Sequence, residues 1–283
     1  MDICVAGLGI IGGSICLSLK RAGYNVDGYD ISPLTLEYAL NNGIIDSAAT
    51  DFSKYDLVFV ALPPQATADF IDSISFKDGA IVSDICGVKG FIEKQVYSKP
   101  RNFKYVGCHP MAGKEVSGIK NACANLFDGA NMVITNCQKS DISAVQIIKK
   151  LTKDMGFARI IECSAEVHDK KIAYTSQLAH IVSNAYVKDG EIEGCFGFTG
   201  GSFQDMTRIA GVDENVWAAL YLENSQNVSQ KIGLLIKNLE DIKATIDGGN
   251  QTELVKALQS GRLLFEKSKE FNESTEITVT NLK

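Results

Sequence analysis

A glycine-rich turn near the start of the chain constrains the fold more than any other stretch. A short apolar run at residues 3–6 stops at GLGIIG, which spans residues 7–12 and has the spacing GxGxxG. Between a strand and a helix, the first glycine allows a tight turn, the second lets backbone approach a pyrophosphate, and the third lets the helix pack close to the sheet. The motif predicts a dinucleotide site formed by Gly7, Leu8, Gly9, Ile10, Ile11 and Gly12.

An acidic residue after the second predicted strand supports the same site. The run at residues 26–29 is followed by Asp30, about twenty residues beyond the first glycine, where an acid accepts hydrogen bonds from a ribose 2′-hydroxyl. A carboxylate there repels the 2′-phosphate of NADP, and residues 31–36 contain no arginine. The pattern favours NAD as the cofactor, and a purely structural glycine-rich turn is the alternative.

Composition restricts the class of protein. The chain has 283 residues, enough for two domains, and its 45% hydrophobic and 22% charged residues are typical of a globular protein. A net charge of −6 argues against a nucleic-acid partner, since phosphate binding requires a basic face. We expect no leader segment and no membrane span, because a strand begins almost at Met1 and no apolar run is long enough. The eight cysteines never form a CxxC pair, which favours a reducing, cytoplasmic location.

The two halves of the chain differ in periodicity. Residues 1–162 alternate short apolar runs with helical stretches, which predicts an α/β domain with a Rossmann-type, doubly wound parallel sheet. Residues 163–283 carry apolar residues three and four positions apart, which predicts an all-helical domain. Because apolar helix faces need a partner surface, we expect this second domain to form a homodimer.

The boundaries of individual elements follow from the same pattern. The predicted strands are residues 3–6, 26–29, 57–61, 80–83, 105–107, 132–135 and 159–161, and the predicted helices of the second domain are 166–188, 203–210, 213–247 and 251 to about 272. The polar, β-branched tail at 274–283 is left unassigned. Ligands of such sheets bind beyond the carboxyl ends of the strands, so Leu62, Pro63 and Asp84 join the predicted cofactor residues.

His109 is the best placed of the three histidines for chemistry. It follows a predicted strand and precedes a polar, glycine-bearing loop at residues 110–118. A neutral imidazole can accept a hydroxyl proton as hydride leaves a carbon, so we predict that His109 is a general base. A histidine that merely caps the loop is the alternative. Glu115 could hold the imidazole or close over the site, and a solvated loop charge is an equal alternative.

The helical half contains two further polar stretches. Ser176 and His180 share one helix face, either as a buried pair or as a wall of the site. After a double glycine, a short helix ends at Arg208, whose planar guanidinium suits a carboxylate, and Asp205 is placed to pair with it. His168 is expected to be a solvated residue at a helix start. The histidines and cysteines do not group at metal-ligand spacing, so no metal is expected.

Taken together, these stretches resemble the prephenate dehydrogenase family of tyrosine biosynthesis. The resemblance lies in GLGIIGGS at 7–14, SDICGVK at 83–89, GCHPMAGKEVSG at 107–118, SQLAH at 176–180 and GGSFQDMTRIA at 200–210. It implies a dinucleotide domain followed by a helical dimerisation domain, and NAD-dependent oxidative decarboxylation of prephenate to 4-hydroxyphenylpyruvate. The alternatives are an arogenate dehydrogenase that forms tyrosine directly and a catalytically silent NAD-binding sensor.

The resemblance also implies roles for individual residues. His109 matches the catalytic histidine and Glu115 the loop acid of the family. The positions that match the substrate pocket are Ser176, His180, Gly201, Asp205, Arg208 and Trp217. Gly87 and Gln177 stand where many members have a serine and a histidine, which bears on substrate preference and on inhibition by tyrosine.

Overall fold

The first half of the chain folds around a five-stranded parallel sheet. The computed structural model describes residues 1–114, 116–135, 139–269 and 276–279. The strands, in the spatial order β2-β1-β3-β4-β5, are β1 Ile3–Ala6, β2 Val26–Tyr29, β3 Leu57–Val60, β4 Ile81–Asp84 and β5 Lys104–Tyr105. The helices that connect them are α1 Ile10–Arg21, α2 Pro33–Asn41, α3 Pro64–Ser73 and α4 Gly90–Val96. The predicted Rossmann-type parallel sheet is confirmed.

Burial on both faces explains why the strands read as continuous apolar runs. All four residues of β1 are buried, and successive residues face opposite sides of the sheet. Ile3 and Val5 belong to one core, and Cys4 and Ala6 belong to the other. Both faces are therefore covered, which leaves the strand ends as the accessible part of the sheet.

A second, mixed sheet continues from the first. It consists of β6 Gly107–Pro110, β7 Asn131–Thr135, β8 Arg159–Cys163 and β9 Glu276–Val279, with α5 Ile142–Asp154 between β7 and β8. Strand β6 is antiparallel to β7, whereas β7, β8 and β9 are parallel. The expectation of a single parallel sheet was wrong here, because the predicted strand at 105–107 is the point where the chain changes sheets. A Cβ on Gly107 would clash with the Thr135 hydroxyl, so the crossing requires glycine.

The helical half contains more breaks than its periodicity predicted. The predicted helix 166–188 consists of α6 Ala165–Ile172, a π-helical turn Ala173–Gln177 and α7 Leu178–Tyr186. The next helix is α8 Gly201–Thr207, followed by a 3₁₀ turn Arg208–Ala210. The predicted helix 213–247 is divided into α9 Glu214–Glu223 and α10 Ser225–Asp247, and α11 is Gln251–Ser268.

The division between α9 and α10 has a tertiary cause. Asn224 is buried, and its side-chain amide donates to the Asp169 carbonyl at 2.8 Å and to the Gln177 side-chain oxygen at 2.7 Å. Its backbone leaves helical geometry, with φ −119° and ψ 23°. Two hydrogen bonds to distant residues thus hold a kink that the local apolar pattern does not reveal.

The last two helices leave a large apolar surface uncovered in the single chain. Their exposed apolar side chains are Leu234, Ile236, Leu239, Ile246, Val255, Leu258, Leu263, Leu264 and Phe265. Within the described ranges, none of the helices combines the length and apolarity needed to cross a bilayer.

Candidate active site

The glycine turn has the geometry that its spacing predicted. Gly7 adopts a positive φ of 91°, and its amide donates to the Tyr29 carbonyl at 2.7 Å. A Cβ on Gly12 would clash with the carbonyl oxygen of Gly7, whereas a Cβ on Gly9 would meet no atom within 4 Å. The turn is therefore tight where the helix crosses the strand and open at the position where a phosphate would approach.

Asp30 is held beside this turn. Its two carboxylate oxygens accept hydrogen bonds from the backbone amides of Leu8 at 2.8 Å and Ser32 at 2.9 Å. These bonds fix the carboxylate at the end of β2 while part of the side chain stays exposed. Together with the open backbone at Gly9, this arrangement fits the phosphate and ribose groups of a dinucleotide.

The other predicted cofactor residues separate into two groups. Leu62 and Pro63 follow β3 and are at least partly exposed beside the turn. Asp84, by contrast, is completely buried in an ion pair with Lys89, and burial raises the pKa of Asp84 to about 6 although the lysine opposes this shift. The Asp84 side chain has no exposed surface, and the assignment of Asp84 to the cofactor site stays a prediction. Asp84 holds Lys89, whose amino group also donates to the Cys108 carbonyl at 2.6 Å.

A cavity of about 750 Å³ lies where the strand ends meet the helical half. The structure brings five of the predicted site residues to its wall, namely His109, Ser176, His180, Arg208 and Trp217. Gly201 and Asp205 are exposed on α8 and do not line the cavity of this chain, so their substrate role stays a prediction. Glu115 lies outside the described residues.

Helix α7 fixes the position of the Arg208 segment. One ring nitrogen of His180 (Nδ1) donates to the Ile209 carbonyl at 2.9 Å, and the Ser183 hydroxyl donates to the Met206 carbonyl at 2.6 Å. The imidazole of His180 also contacts the indole of Trp217, with ring centroids 3.8 Å apart. Two hydrogen bonds therefore connect α7 to the segment around Arg208, and one ring contact connects α7 to α9.

The structure reveals a histidine that sequence reasoning assigned wrongly. His168 was expected to be solvated, but it is only 2% exposed, and its Nε2 lies 2.8 Å from Nδ1 of His109. Its other ring nitrogen, Nδ1, lies 2.7 Å from a carboxylate oxygen of Asp169. His109 and His168 are 59 residues apart in the sequence. The charged neighbours of His168 suggest a solvated helix start, so no local signal could have revealed this contact.

Burial keeps both histidines neutral. It lowers the pKa of His109 well below the ordinary value of 6.5, and the neighbouring His168 and Lys89 lower it further. Burial also lowers the pKa of His168, although Asp169 opposes this shift. A neutral imidazole on the cavity wall is able to accept a proton.

The two positions at which the chain departs from the family pattern differ in their surroundings. A Cβ added to Gly87 would lie 3.7 Å from Nε2 of His109, so a larger side chain there would stand beside the imidazole. Cys86 does not fill this space, because its thiol faces Thr67 and the Leu62 carbonyl. Gln177 is 1% exposed and donates to the Leu220 carbonyl at 3.0 Å. It is a buried residue outside the cavity lining.

Comparison with known proteins identifies the family of the chain. The family model for the prephenate dehydrogenase nucleotide-binding domain matches residues 15–162, and the model for the prephenate dehydrogenase dimerization domain matches residues 164–260. The prephenate dehydrogenase of Bacillus subtilis (strain 168) is 29% identical over 275 residues, which cover 92% of this chain and 74% of the relative.

Two solved structures extend the comparison to the fold. The prephenate dehydrogenase of Aquifex aeolicus, solved in complex with hydroxyphenyl propionate and NAD⁺, is 31% identical with a TM-score of 0.82, covering 95% of this chain and 99% of that one. Synechocystis arogenate dehydrogenase is 27% identical with a TM-score of 0.77, covering 95% and 100%. Because the nucleotide-binding model alone matches more than half of the sequence, the chain belongs to the prephenate dehydrogenase family.

Proposed function

We propose that this protein is an NAD-dependent dehydrogenase that oxidatively decarboxylates prephenate to 4-hydroxyphenylpyruvate. The observation that carries the proposal is the meeting of a neutral imidazole, His109, and a guanidinium, Arg208, on the wall of one 750 Å³ cavity. A base and an anion-binding group on one wall suit a substrate that combines a hydroxyl group with carboxylates. The names of its relatives support the same reaction.

The glycine turn and Asp30 would hold the cofactor, with the pyrophosphate at the start of α1 and the ribose at the carboxylate. Bound NAD would supply a hydride acceptor. The loop after His109 packs on the same helix, since the amide of Cys123 donates to the Ser14 hydroxyl at 3.1 Å. At the end of β3, the thiol of Cys86 donates a hydrogen bond to the Leu62 carbonyl. The next residue, Gly87, lies beside the imidazole of His109. These contacts support a nicotinamide position next to the imidazole.

His109 acts as the general base in this proposal. Its imidazole takes the proton from the ring hydroxyl while the C–H bond at the same carbon gives up its hydride. The carbonyl group that forms at this carbon accepts, through the ring double bonds, the electron pair of the breaking carbon–carboxylate bond. Carbon dioxide therefore leaves and the ring becomes aromatic. Aromatisation makes this step strongly favourable, and the protein's main contribution is therefore orientation and a correctly placed base.

Charge favours prephenate over arogenate. Arg208 and Lys114 are the cations among the described residues that line the cavity, and Asp213 is the carboxylate there. Asp213 already accepts hydrogen bonds at 3.1 Å from the amides of Asn215 and Val216 at the start of α9. The lining therefore suits the dianionic prephenate better than arogenate, which carries an additional ammonium group. We assign Ser176, His180 and Trp217 to the substrate wall.

An absorbance assay at 340 nm tests the proposal. Protein, NAD and prephenate should give NADH, and arogenate in place of prephenate should give much less. NADH from arogenate alone would reassign the substrate, and the Synechocystis arogenate dehydrogenase makes this the second candidate. No NADH from either compound, with NAD binding intact by calorimetry, would leave the catalytically silent sensor.

We also propose that the protein is a homodimer in a reducing, cytoplasmic compartment. The dimerization-domain match includes α10, where much of the uncovered apolar surface lies. The seven described cysteines are all free thiols, and the eighth, Cys137, lies outside the described residues. Uncovered apolar helix faces support self-association, and unpaired thiols support reducing conditions.

A further inference from the structure

The carboxylate of Asp169 is oriented by backbone donors. The amide of Lys89 donates to one oxygen at 2.9 Å, and the amide of Gly90 donates to the other at 2.8 Å. A Cβ on Gly90 would lie 2.9 Å from the second oxygen, so glycine permits this close approach. Because backbone amides can only donate, both oxygens of Asp169 are acceptors in this arrangement.

The acceptor character of Asp169 determines the proton position on His168. The oxygen that accepts from Lys89 also lies 2.7 Å from Nδ1 of His168. A bare Nδ1 would place a lone pair against a carboxylate, so Nδ1 carries the proton and donates. Since His168 is buried and neutral, its Nε2 must then be unprotonated, and it is the atom that faces His109.

The proton position on His168 determines in turn the proton position on His109. An unprotonated Nε2 on His168 is an acceptor, so Nδ1 of His109, 2.8 Å away, must donate to it. Neutral His109 then carries its only proton on Nδ1 and presents a bare Nε2 next to Gly87. A free histidine side chain favours the opposite tautomer, with the proton on Nε2. The surroundings therefore impose the less common form on His109.

We propose that His168 and Asp169 are positioning residues that hold His109 in the tautomer with an unprotonated Nε2, ready to accept the substrate proton. This inference rests on the proposed function, because only a proton-abstracting His109 benefits from it. The groups around the pair are Asp169 on α6, Lys89 at the start of α4, Asp84 at the end of β4 and Tyr105 on β5. Lys89 also binds the Cys108 carbonyl at 2.6 Å, so the main chain next to His109 is anchored as well as its ring.

Nitrogen-15 NMR of the imidazoles tests the proposal without any turnover. The chain has three histidines, so substitution of each one assigns the spectrum. In the parent protein, His109 should show a protonated Nδ1 and an unprotonated Nε2 at pH 7.5. The opposite pattern would overturn the proposal. If this pattern is found but neither prephenate nor arogenate gives NADH, the proposed function fails while the tautomer assignment stands.

Two variants of His168 separate positioning from packing. The variant His168→Leu removes the acceptor, so His109 should shift toward the Nε2–H tautomer and kcat should fall at least about tenfold, part of the usual contribution of a general base. The KM for NAD should stay within about twofold of the parent. The variant His168→Gln keeps an acceptor oxygen near the position of Nε2, so it should retain the parent tautomer and most of the activity.

A matched control measures the effect of losing a buried polar group elsewhere. Thr152 is buried in α5, and Thr152→Val should leave both the tautomer and kcat unchanged. The melting temperature of each variant shows whether it is folded. A folded His168→Leu protein with the parent tautomer and parent kcat would overturn the proposal, as would equal losses of kcat in the Leu and Gln variants.

Discussion

At the scale of single residues, burial determines what His109 can do. A low pKa means that the imidazole remains neutral at pH values where an exposed histidine is already charged. The neighbouring amino group of Lys89 acts in the same direction, since a nearby cation opposes protonation. The base is therefore active over a wider pH range than an ordinary histidine.

This property predicts the pH dependence of the reaction. Because the unprotonated form is active and its pKa is lowered, kcat/KM for prephenate should be constant above pH 6.5 and should fall only well below that value. His168 contacts His109 directly and its pKa is also lowered, so the acid limb reports the two histidines as a coupled pair. Initial rates at saturating NAD measure the profile. A half-maximal value at or above pH 6.5 would contradict the assignment.

Removal of the base should affect turnover without affecting cofactor binding. In His109→Asn, kcat should fall at least about a hundredfold, the usual scale for loss of a general base. The dissociation constant for NAD should not change, since the glycine turn and Asp30, which would hold the cofactor, do not include His109. Steady-state rates and isothermal titration measure the two quantities. A variant that turns over like the parent would show that His109 is not the base.

Arg208 should contribute mainly to substrate binding. In Arg208→Ala, KM for prephenate should rise more than kcat falls, because tight binding of the departing carboxylate would stabilise the ground state as much as the transition state. Arg208→Lys, which keeps the charge but loses the planar fork, should lie between parent and Ala. An unchanged KM in Arg208→Ala counts against the assignment.

At the scale of elements, local patterns predicted what depends on local sequence. The strand at residues 3–6 and the glycine turn that opens a helix follow from the apolar run and the glycine spacing, and the structure has β1 and the start of α1 there. The kink at Asn224 was not predictable, because it depends on hydrogen bonds to Gln177 and Asp169, which lie 47 and 55 residues away. The same reason accounts for His168 in the site.

The kink predicts a stability effect. Substitution of Asn224 by alanine leaves the buried Gln177 oxygen and Asp169 carbonyl without their donor, so unfolding free energy should fall by about 1–3 kcal/mol. Urea denaturation followed by circular dichroism measures it. The control Asn215→Ala, at an exposed position of α9, should change it by less than about 0.5 kcal/mol. Equal effects of the two substitutions would contradict the role of the kink.

At the scale of the whole molecule, the uncovered faces of α10 and α11 predict association. Light scattering should give twice the 30.6 kDa of one chain. Leu239 and Leu258 are 57% and 58% exposed, and the double variant Leu239→Asp with Leu258→Asp should shift the mass toward the monomer, since charges oppose burial. The control Ile142→Asp, at a 79% exposed site on α5, should remain dimeric. A monomeric parent would contradict the prediction.

The composition of residues 274–283 did not predict any secondary structure for them. In the structure, residues 276–279 form a strand that pairs with the first half of the chain. Strand β9 pairs with β8, and Glu276 forms ion pairs with Lys149 at 3.2 Å and Lys153 at 2.6 Å. Its partners lie more than a hundred positions earlier in the sequence. Only the folded arrangement could reveal them, and the division at residues 162 and 163 stays a prediction.

Strand β9 has a mechanical consequence for the helical half. The chain leaves the second sheet at the end of β8, forms all of α6 to α11, and re-enters the same sheet at its neighbour. The helical half is therefore connected to the same sheet at both of its ends. Two connections restrain rotation of the helical half about either one of them. The position of Arg208 relative to His109 is therefore restrained from both ends of the helical half.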